Sequence, residues 1–249
     1  MSILKTESLV KRFGGIVVSD AISLDIVEGE LHAIIGPNGA GKTTLINQLS
    51  GEMASNSGKV WFDGADVSAL PIHARARRGL LRSYQITSIF EEFTVRENAV
   101  LAAVGASEHG WRFLQPLLGR ATAAGAASEA LAMCGLAGRE EVPAADLAYG
   151  ERRQLEMAMA LAAKPRFLLL DEPMAGMSAQ ESSAVVAMLR RLKKRYTILL
   201  IEHDMEAVFA LADRITVLVY GKTIFTGSPD EIRRNPEVRA VYLGEEEQA

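Results

Sequence analysis

The segment Gly36-Pro-Asn-Gly-Ala-Gly-Lys-Thr-Thr44 narrows the folds open to this chain more than any other stretch. The apolar run Leu31-His-Ala-Ile-Ile35 precedes it, and Leu45-Ile-Asn-Gln-Leu49, helical in pattern, follows. A strand, a glycine loop and a helix start therefore meet at a Gly-x-x-x-x-Gly-Lys-Thr junction. Glycines let the backbone wrap until successive N–H groups converge on one centre, where phosphate oxygens can sit. A helix beginning near Lys42 adds the positive end of its dipole, and the Lys42 ammonium adds a point charge for β- and γ-phosphates. Thr43 offers a hydroxyl to Mg²⁺. The expected site comprises Gly36, Pro37, Asn38, Gly39, Ala40, Gly41, Lys42, Thr43 and Thr44.

At 249 residues and 49% hydrophobic content, the chain can bury one large domain or a core with a smaller subdomain, and a disordered chain is excluded. A net charge of -4 argues against a protein that mainly holds nucleic acid. Two local basic clusters read as solvated helix faces: Arg75, Arg77, Arg78 and Arg82, then Arg190, Arg191, Lys193, Lys194 and Arg195. Cys134, the lone cysteine, cannot form an internal disulfide, which fits a reducing compartment. Its neighbours in Ala130-Leu-Ala-Met-Cys-Gly-Leu136 predict a buried structural thiol. The N-terminal residues lack a secretion-signal pattern, and no apolar run approaches the ~20 residues needed to span a bilayer. Any membrane role is therefore expected to be peripheral, through a partner.

Strands are predicted at Ile3–Leu9, Ile16–Val18, Ala21–Ile26 and Gly58–Phe62, with turns at Gly14-Gly15 and Asp63-Gly64. From about Thr94 to Leu147 the texture changes to alanine-rich helical stretches, Val95–Val104 and Ala121–Leu136. Between them Gly105–Gly119, holding His109, Trp111 and Pro116, shows no clear pattern. Alternation then resumes: strands Arg166–Leu170, Thr197–Ile201 and Arg214–Val219, helices Ser178–Arg195 and Met205–Ala212. Continuous Leu/Ile/Val runs between amphipathic helices suit a parallel sheet covered on both faces. The tail from Ser228 reads as a short helix, a second helical stretch near Val238 and an acidic end at Glu245–Glu247.

Leu168-Leu-Leu-Asp171-Glu172-Pro173 is an apolar strand ending in two carboxylates. Beside a phosphate loop, one carboxylate at a neighbouring strand tip holds Mg²⁺ and a second orients the attacking water; Asp171 suits the first role and Glu172 the second. Leu147-Ala-Tyr-Gly-Glu151 opens a long helix running to Ala163, a second anion-friendly N-terminus. In Ile201-Glu-His203-Asp-Met205 a histidine ends the next strand, where it can reach a γ-phosphate. His32, His73 and His109 lack such a context and read as structural.

In this ordered set, essentially the whole chain resembles the nucleotide-binding subunit of ABC transporters. The resemblance implies an α/β fold: a P-loop ATPase, RecA-like core with an antiparallel β subdomain and an inserted α-helical subdomain. It implies one ABC ATPase domain over residues 1–249, with 1–93 and 148–227 as β/ATPase core, 94–147 as helical subdomain and 228–249 as a C-terminal tail. Gln85, in Arg82-Ser-Tyr-Gln-Ile86, matches the family glutamine that joins Mg²⁺ to the helical insert. Leu147, Ala148, Tyr149, Gly150 and Glu151 match the family signature, Ala175-Gly-Met-Ser178 the loop after the acids, and His203 the switch histidine. Phe13 stands where the family stacks an aromatic ring on adenine.

The implied cofactors are ATP and Mg²⁺. Two subunits, identical or paralogous, would close head to tail, each ATP lying between one phosphate loop and the other subunit's signature helix. The stretch around Ile86–Glu97 would dock on permease subunits at the cytoplasmic face of the cell membrane, with a substrate-binding protein acting indirectly and no nucleic acid partner. Three departures stand out. Ala148 replaces a serine, which weakens contacts across the dimer; Glu151 replaces glutamine and brings negative charge; Ser178 stands where Asp or Asn is common. None touches Lys42, Asp171, Glu172 or His203, so an active ATPase is expected. The Leu-Ala-Tyr-Gly signature and the ending Gly227–Ile232, Asn235–Val238 and Ala240–Gly244 are similar to the branched-chain amino acid uptake branch, which urea, amide and aromatic-acid importers resemble. The segment near Trp111 is similar to the larger ATPase of such systems. A soluble ABC ATPase of iron–sulfur assembly is the alternative, with a DNA-repair or translation ATPase disfavoured by the absence of a coiled-coil insertion or second cassette.

Overall fold

The computed structural model describes residues 1–83, 89–106 and 121–240. Strands β1 (Ser2–Phe13), β2 (Ile16–Ile22) and β3 (Asp25–Val27) come first, and β4 (Leu31–Ile35) leads into α1 (Lys42–Ser50). β5 (Ser57–Phe62), β6 (Ala65–Asp66), α2 (Ile72–Arg77) and β7 (Leu80–Ser83) follow, then α3 (Val95–Ala106) and α4 (Ala121–Met133). The chain continues through α5 (Tyr149–Ala162), β8 (Phe167–Asp171), α6 (Ala179–Leu192), β9 (Thr197–Ile201), α7 (Met205–Leu211), β10 (Arg214–Val219) and β11 (Lys222–Gly227). Helices α8 (Pro229–Arg234) and α9 (Pro236–Val238) come last.

Two sheets form. An antiparallel one has the order β2-β1-β5-β6, with β3 also on β1; the other runs β11-β10-β4-β9-β8-β7 and is parallel except for β11. Every residue of β4, β8 and β9 is buried, as central strands covered on both faces require. Helix α1 fills the space between the sheets: Leu45, Ile46 and Leu49 share a core with Leu4, Leu9, Val60 and Phe62 on one side and Phe167, Leu169 and Leu199 on the other. Phe62 meets Phe167 edge to face, with centroids 6.1 Å apart. The opposite face of the parallel sheet packs Leu168 and Leu170 in one core with Val100, Leu131 and Leu155 of α3, α4 and α5. The helices therefore rest on the sheet that carries the phosphate loop.

Local chemistry accounts for most boundaries. Ser178 and Ser228 each accept a hydrogen bond from the N–H three residues on, and Glu181 and Glu231 reach back to the capping residues' N–H groups. The first strand extends past its predicted end at Leu9 to Phe13, with register shifts either side of Lys11. The predicted strands Ile16–Val18 and Ala21–Ile26 are redistributed: β2 runs unbroken to Ile22, and β3 is a separate three-residue strand. Four short or edge elements, β6, α2, β7 and β11, had no prediction.

The first basic cluster needs correction. Arg77 and Arg78 are exposed, but Arg75 is 2% exposed. Its guanidinium donates to the carbonyls of Gln48 (2.8 Å), Leu49 (2.7 Å), Ser68 (3.0 Å) and Leu70 (3.0 Å), closing the C-terminal end of α1. Arg82 is partly buried, its side chain 8% exposed, as described below. Cys134 is buried in the helical core, where desolvation pushes its thiol up to about 12. In the native protein it is expected to resist alkylation at about pH 8 and to react fully once unfolded, since the thiolate is the nucleophile. Rapid native labelling would refute the structural reading.

Candidate nucleotide-binding site

The parallel strands end level with one another. Ile34 of β4 pairs with Ile201 of β9, which pairs with Asp171 of β8, so the loops after all three open on the same edge. Ligands of open α/β sheets bind there. The loop after β4 is Gly36–Gly41. Gly41 has φ 102°, and an added Cβ would lie 2.6 Å from the Val18 carbonyl; one on Gly36 would lie 2.0 Å from that of Leu218. The two ends of the loop are thus pressed against β10 and β2, with no room for a side chain at Gly36 or Gly41. Gly41→Ala is expected to weaken nucleotide binding at least ~10-fold through strain and displacement. Unchanged affinity in a fluorescent-nucleotide titration would show that β2 yields instead.

Helix α1 begins differently from α6, α7 and α8. Its cap is Gly41, no side chain caps it and no acidic residue lies in its first turn, whereas α6, α7 and α8 are capped by Ser178, Asp204 and Ser228. The first closure is Leu45 N–H to Gly41 O, so the N–H groups of Lys42, Thr43 and Thr44 face the loop mouth as anion donors. Lys42 is 9% exposed and donates to the carbonyls of Gly36 (2.5 Å) and Pro37 (3.1 Å). Burial holds its ammonium below the ordinary lysine value, against the opposing pull of Glu172 and Asp171.

Asp171 is 4% exposed, and burial raises its carboxyl above the usual range while Arg82 pulls it down. Arg82 donates to its Oδ2 at 2.8 Å. Glu172 follows with φ 47°, a left-handed conformation rare for a side-chain-bearing residue, and its N–H donates to Ile201 O at 2.9 Å. Its Oε1 lies 4.0 Å from His203 Nδ1, at the tip of the adjacent strand. Strain of this kind accumulates where a side chain must be aimed. Behind these two, Glu202 is fully buried and accepts the N–H groups of Met174 (3.0 Å) and His203 (3.1 Å); burial raises its carboxyl. Among the described residues no cluster of three or more His, Cys, Asp or Glu side chains could hold a metal alone. One buried carboxylate near a phosphate loop and a threonine hydroxyl instead suits Mg²⁺, which shares its coordination with phosphate oxygens and water.

Arg82 and Glu202 were absent from the sequence-derived site. Phe13, at the β1–β2 turn, is 48% exposed, with Lys11 Nζ 5.3 Å from its ring centroid. It is therefore no core residue, the other reading its position allowed. Gln85 lies outside the described residues. Leu147–Glu151 starts α5 with Ala148 as cap; Ala148 N–H donates to Glu151, which is also ion-paired with Arg139 at 3.1 Å. The charge at Glu151 is thus offset within the subunit. Ala148, Gly150, Glu151 and Gln154 line a cleft of about 210 Å³ against Glu181 of α6.

A helix N-terminus that no side chain caps, facing two carboxylates across a glycine loop, is the arrangement of the P-loop nucleoside triphosphatases. Residues 19–175 match the family model described as ABC transporter, and residues 222–248 that described as branched-chain amino acid ATP-binding cassette transporter. Relatives include the high-affinity branched-chain amino acid transport ATP-binding proteins BraF of Pseudomonas aeruginosa and LivG of Salmonella typhimurium. They are 36% and 37% identical, over 98% of this chain and 98% of each relative. A solved ATP-binding cassette of an ABC transporter in its ADP conformation matches with TM-score 0.86 at 29% identity, covering 98% of this chain and 99% of that one. The chain belongs to the ABC transporter family as an ATP-binding subunit, an ATPase coupled to transport. The iron–sulfur alternative finds no support among these relatives.

Proposed function

We propose that this subunit powers uptake of branched-chain amino acids or related small solutes through separate permease subunits. The observation that carries the importer branch is the match of residues 222–248 to the branched-chain cassette model. The loop N–H groups and Lys42 bind the phosphates of ATP, with Lys42 exchanging its loop carbonyls for β- and γ-oxygens, and Phe13 stacks on adenine. Thr43, Asp171 and Gln85 would hold Mg²⁺, which would supply positive charge beside the phosphate oxygens. Glu172 accepts a hydrogen bond from the attacking water and aims it at the γ-phosphorus; His203 donates to a γ-oxygen. Phosphoryl transfer needs positioning more than covalent chemistry, and the site offers polar groups held by a rigid sheet edge.

Leu147–Glu151 would face the ATP of a second cassette, identical or paralogous, so that closure follows binding and reopening follows hydrolysis. The permease docks on the stretch around 86–97. In its described part, Phe90 and Phe93 are 50% and 37% exposed, stacked with centroids 5.4 Å apart, and Phe90 is held by buried Asn98 through paired hydrogen bonds of 2.8 and 3.0 Å. Exposed aromatics fixed in place suit a partner surface. Residues 94–147 act as the helical subdomain between core segments 1–93 and 148–227, with 228–249 as tail. No helix among the described residues is long and apolar enough to cross a membrane, so attachment to the cytoplasmic face runs through the permease, and a substrate-binding protein delivers the solute.

Uptake of labelled leucine, urea and benzoate in a deletion strain, complemented with wild type or Glu172→Gln, tests this reading. Restoration of one substrate by the wild type alone names the cargo. No restoration of any would take the main support from the branched-chain assignment.

A further inference from the structure

We propose that Arg82 is the positioning residue for the Mg²⁺ carboxylate Asp171, fixing it to strand β7 and to the end of the phosphate-loop helix. The inference rests on the assignment of Asp171 to Mg²⁺ made above. Arg82 pairs with Leu169 in the β7–β8 register, so its side chain shares a face with Asp171, two residues further along β8. Its guanidinium fork reaches side chains on β8, on α1 and just beyond α1. Nη2 donates to Asp171 Oδ2 at 2.8 Å, and Nη1 donates to Asn47 Oδ1 of α1 at 2.5 Å and to Glu52 Oε2 just beyond α1 at 2.9 Å. The arginine and aspartate side chains are 8% and 2% exposed, so both charges are largely withdrawn from solvent.

Asn47 and Glu52 hold the guanidinium where it is whether or not Asp171 takes a second partner. An ionised carboxylate has about four lone-pair sites, and one bond at Oδ2 leaves capacity for a cation or its water. Arg82 therefore orients Asp171 without occupying it. A planar fork reaching both Asp171 and the helix pins is something a lysine ammonium cannot reproduce. In sequence, Gln85 stands three residues beyond Arg82 and two beyond the last residue of β7. The metal carboxylate and the strand preceding that glutamine are consequently tied by one side chain.

The test is binding of Mn²⁺, as a paramagnetic stand-in, by the full chain with a non-hydrolysable ATP analogue, read as loss of the free-ion EPR signal. Binding of a fluorescent nucleotide in EDTA is measured alongside. Arg82→Met is expected to weaken Mn²⁺ binding about 10- to 100-fold, the range for partners that orient metal ligands, with metal-free nucleotide binding changed by less than about twofold. Arg82→Lys should fall between Met and wild type. In an Asp171→Asn background, Arg82→Met should add almost nothing, because the arginine acts through the carboxylate. If Arg82→Met does not fold, Asn47→Ala and Glu52→Gln loosen the same fork and should shift Mn²⁺ affinity in the same direction by less. Unchanged or tighter Mn²⁺ binding in the Arg82 and pin variants overturns the proposal, the latter by making Arg82 a competitor of the cation. Additive losses in the double variant overturn it as well. A lack of effect from Asp171→Asn alone would overturn instead the metal assignment on which it rests.

Discussion

Glu172→Gln is expected to lower ATP turnover by about 10²- to 10⁴-fold, the usual contribution of a positioned general base. Nucleotide affinity should stay within about twofold, since the amide keeps the side chain's shape and the phosphate loop is untouched. Glu172 is itself held at φ 47°, directly after the buried Asp171, with its carboxylate 4.0 Å from His203. Its backbone is fixed by a bond to the neighbouring strand tip, so the substitution alters the chemistry of the group and not its place. Single-turnover hydrolysis by the purified subunit, with equilibrium nucleotide binding measured in parallel, decides the matter. A turnover reduced by less than about tenfold would move the general base elsewhere, and the strain at Glu172 would need another explanation. A parallel loss of affinity would mean that the residue supports the fold of the loop and not the water.

Arg75→Met should destabilise the protein by roughly 3 kcal/mol, because it strands four carbonyl groups, those of Gln48 and Leu49 in buried bonds and those of Ser68 and Leu70 in part-buried ones. The side chain is 2% exposed and its donors satisfy carbonyls of Gln48 and Leu49 at the end of α1 and of Ser68 and Leu70 in the chain before α2. Burial lowers the guanidinium only to about 10, so it stays charged at neutral pH and the bonds are charge-assisted throughout. Methionine fills the volume but donates nothing. For a chain of this length the loss corresponds to a fall in Tm of about 6–12 °C. Arg75→Lys should recover little, since one ammonium cannot span both the helix end and the 68–70 segment. A change below about 1 kcal/mol in urea unfolding would show that water reaches those carbonyls after all.

The legible parts of this protein are those whose chemistry is written in consecutive residues. Gly36–Thr44, Asp171-Glu172 and His203 each follow an apolar strand, and the strand tips put them on one edge. The arginines show the opposite case. Arg75 and Arg82 stand among Arg77 and Arg78, and a run of basic residues reads as a wet surface. Nothing local separates Arg82, whose partner Asp171 is 89 positions away, from Arg78, which faces solvent. Strand β7 is four residues long, too short for a period of two to register, and its identity depends on pairing with β8. Glu202 is hidden for a related reason: beside His203 it looks like one more polar residue in a loop, yet the chain turns it inward to hold two backbone N–H groups. The offset of Glu151 by Arg139 likewise needs the turn after α4 that brings them together.

The strand order β11-β10-β4-β9-β8-β7 has a consequence for how this molecule is made. Strand β4 carries the phosphate loop, yet both its neighbours, β9 and β10, come from the last quarter of the chain. Gly221, after β10, also donates its N–H to Ala40 O inside the loop and accepts from Asp20 N–H, both within 2.9 Å. A nascent chain that has left the ribosome only as far as α6 therefore has the glycine loop's residues but neither its flanking strands nor its brace. Such long-range pairing is slow to form and leaves no partial shortcut. A half-made subunit therefore lacks the sheet and the brace that aim the loop, and the capacity to use ATP is expected to arrive only with the segment that completes the sheet.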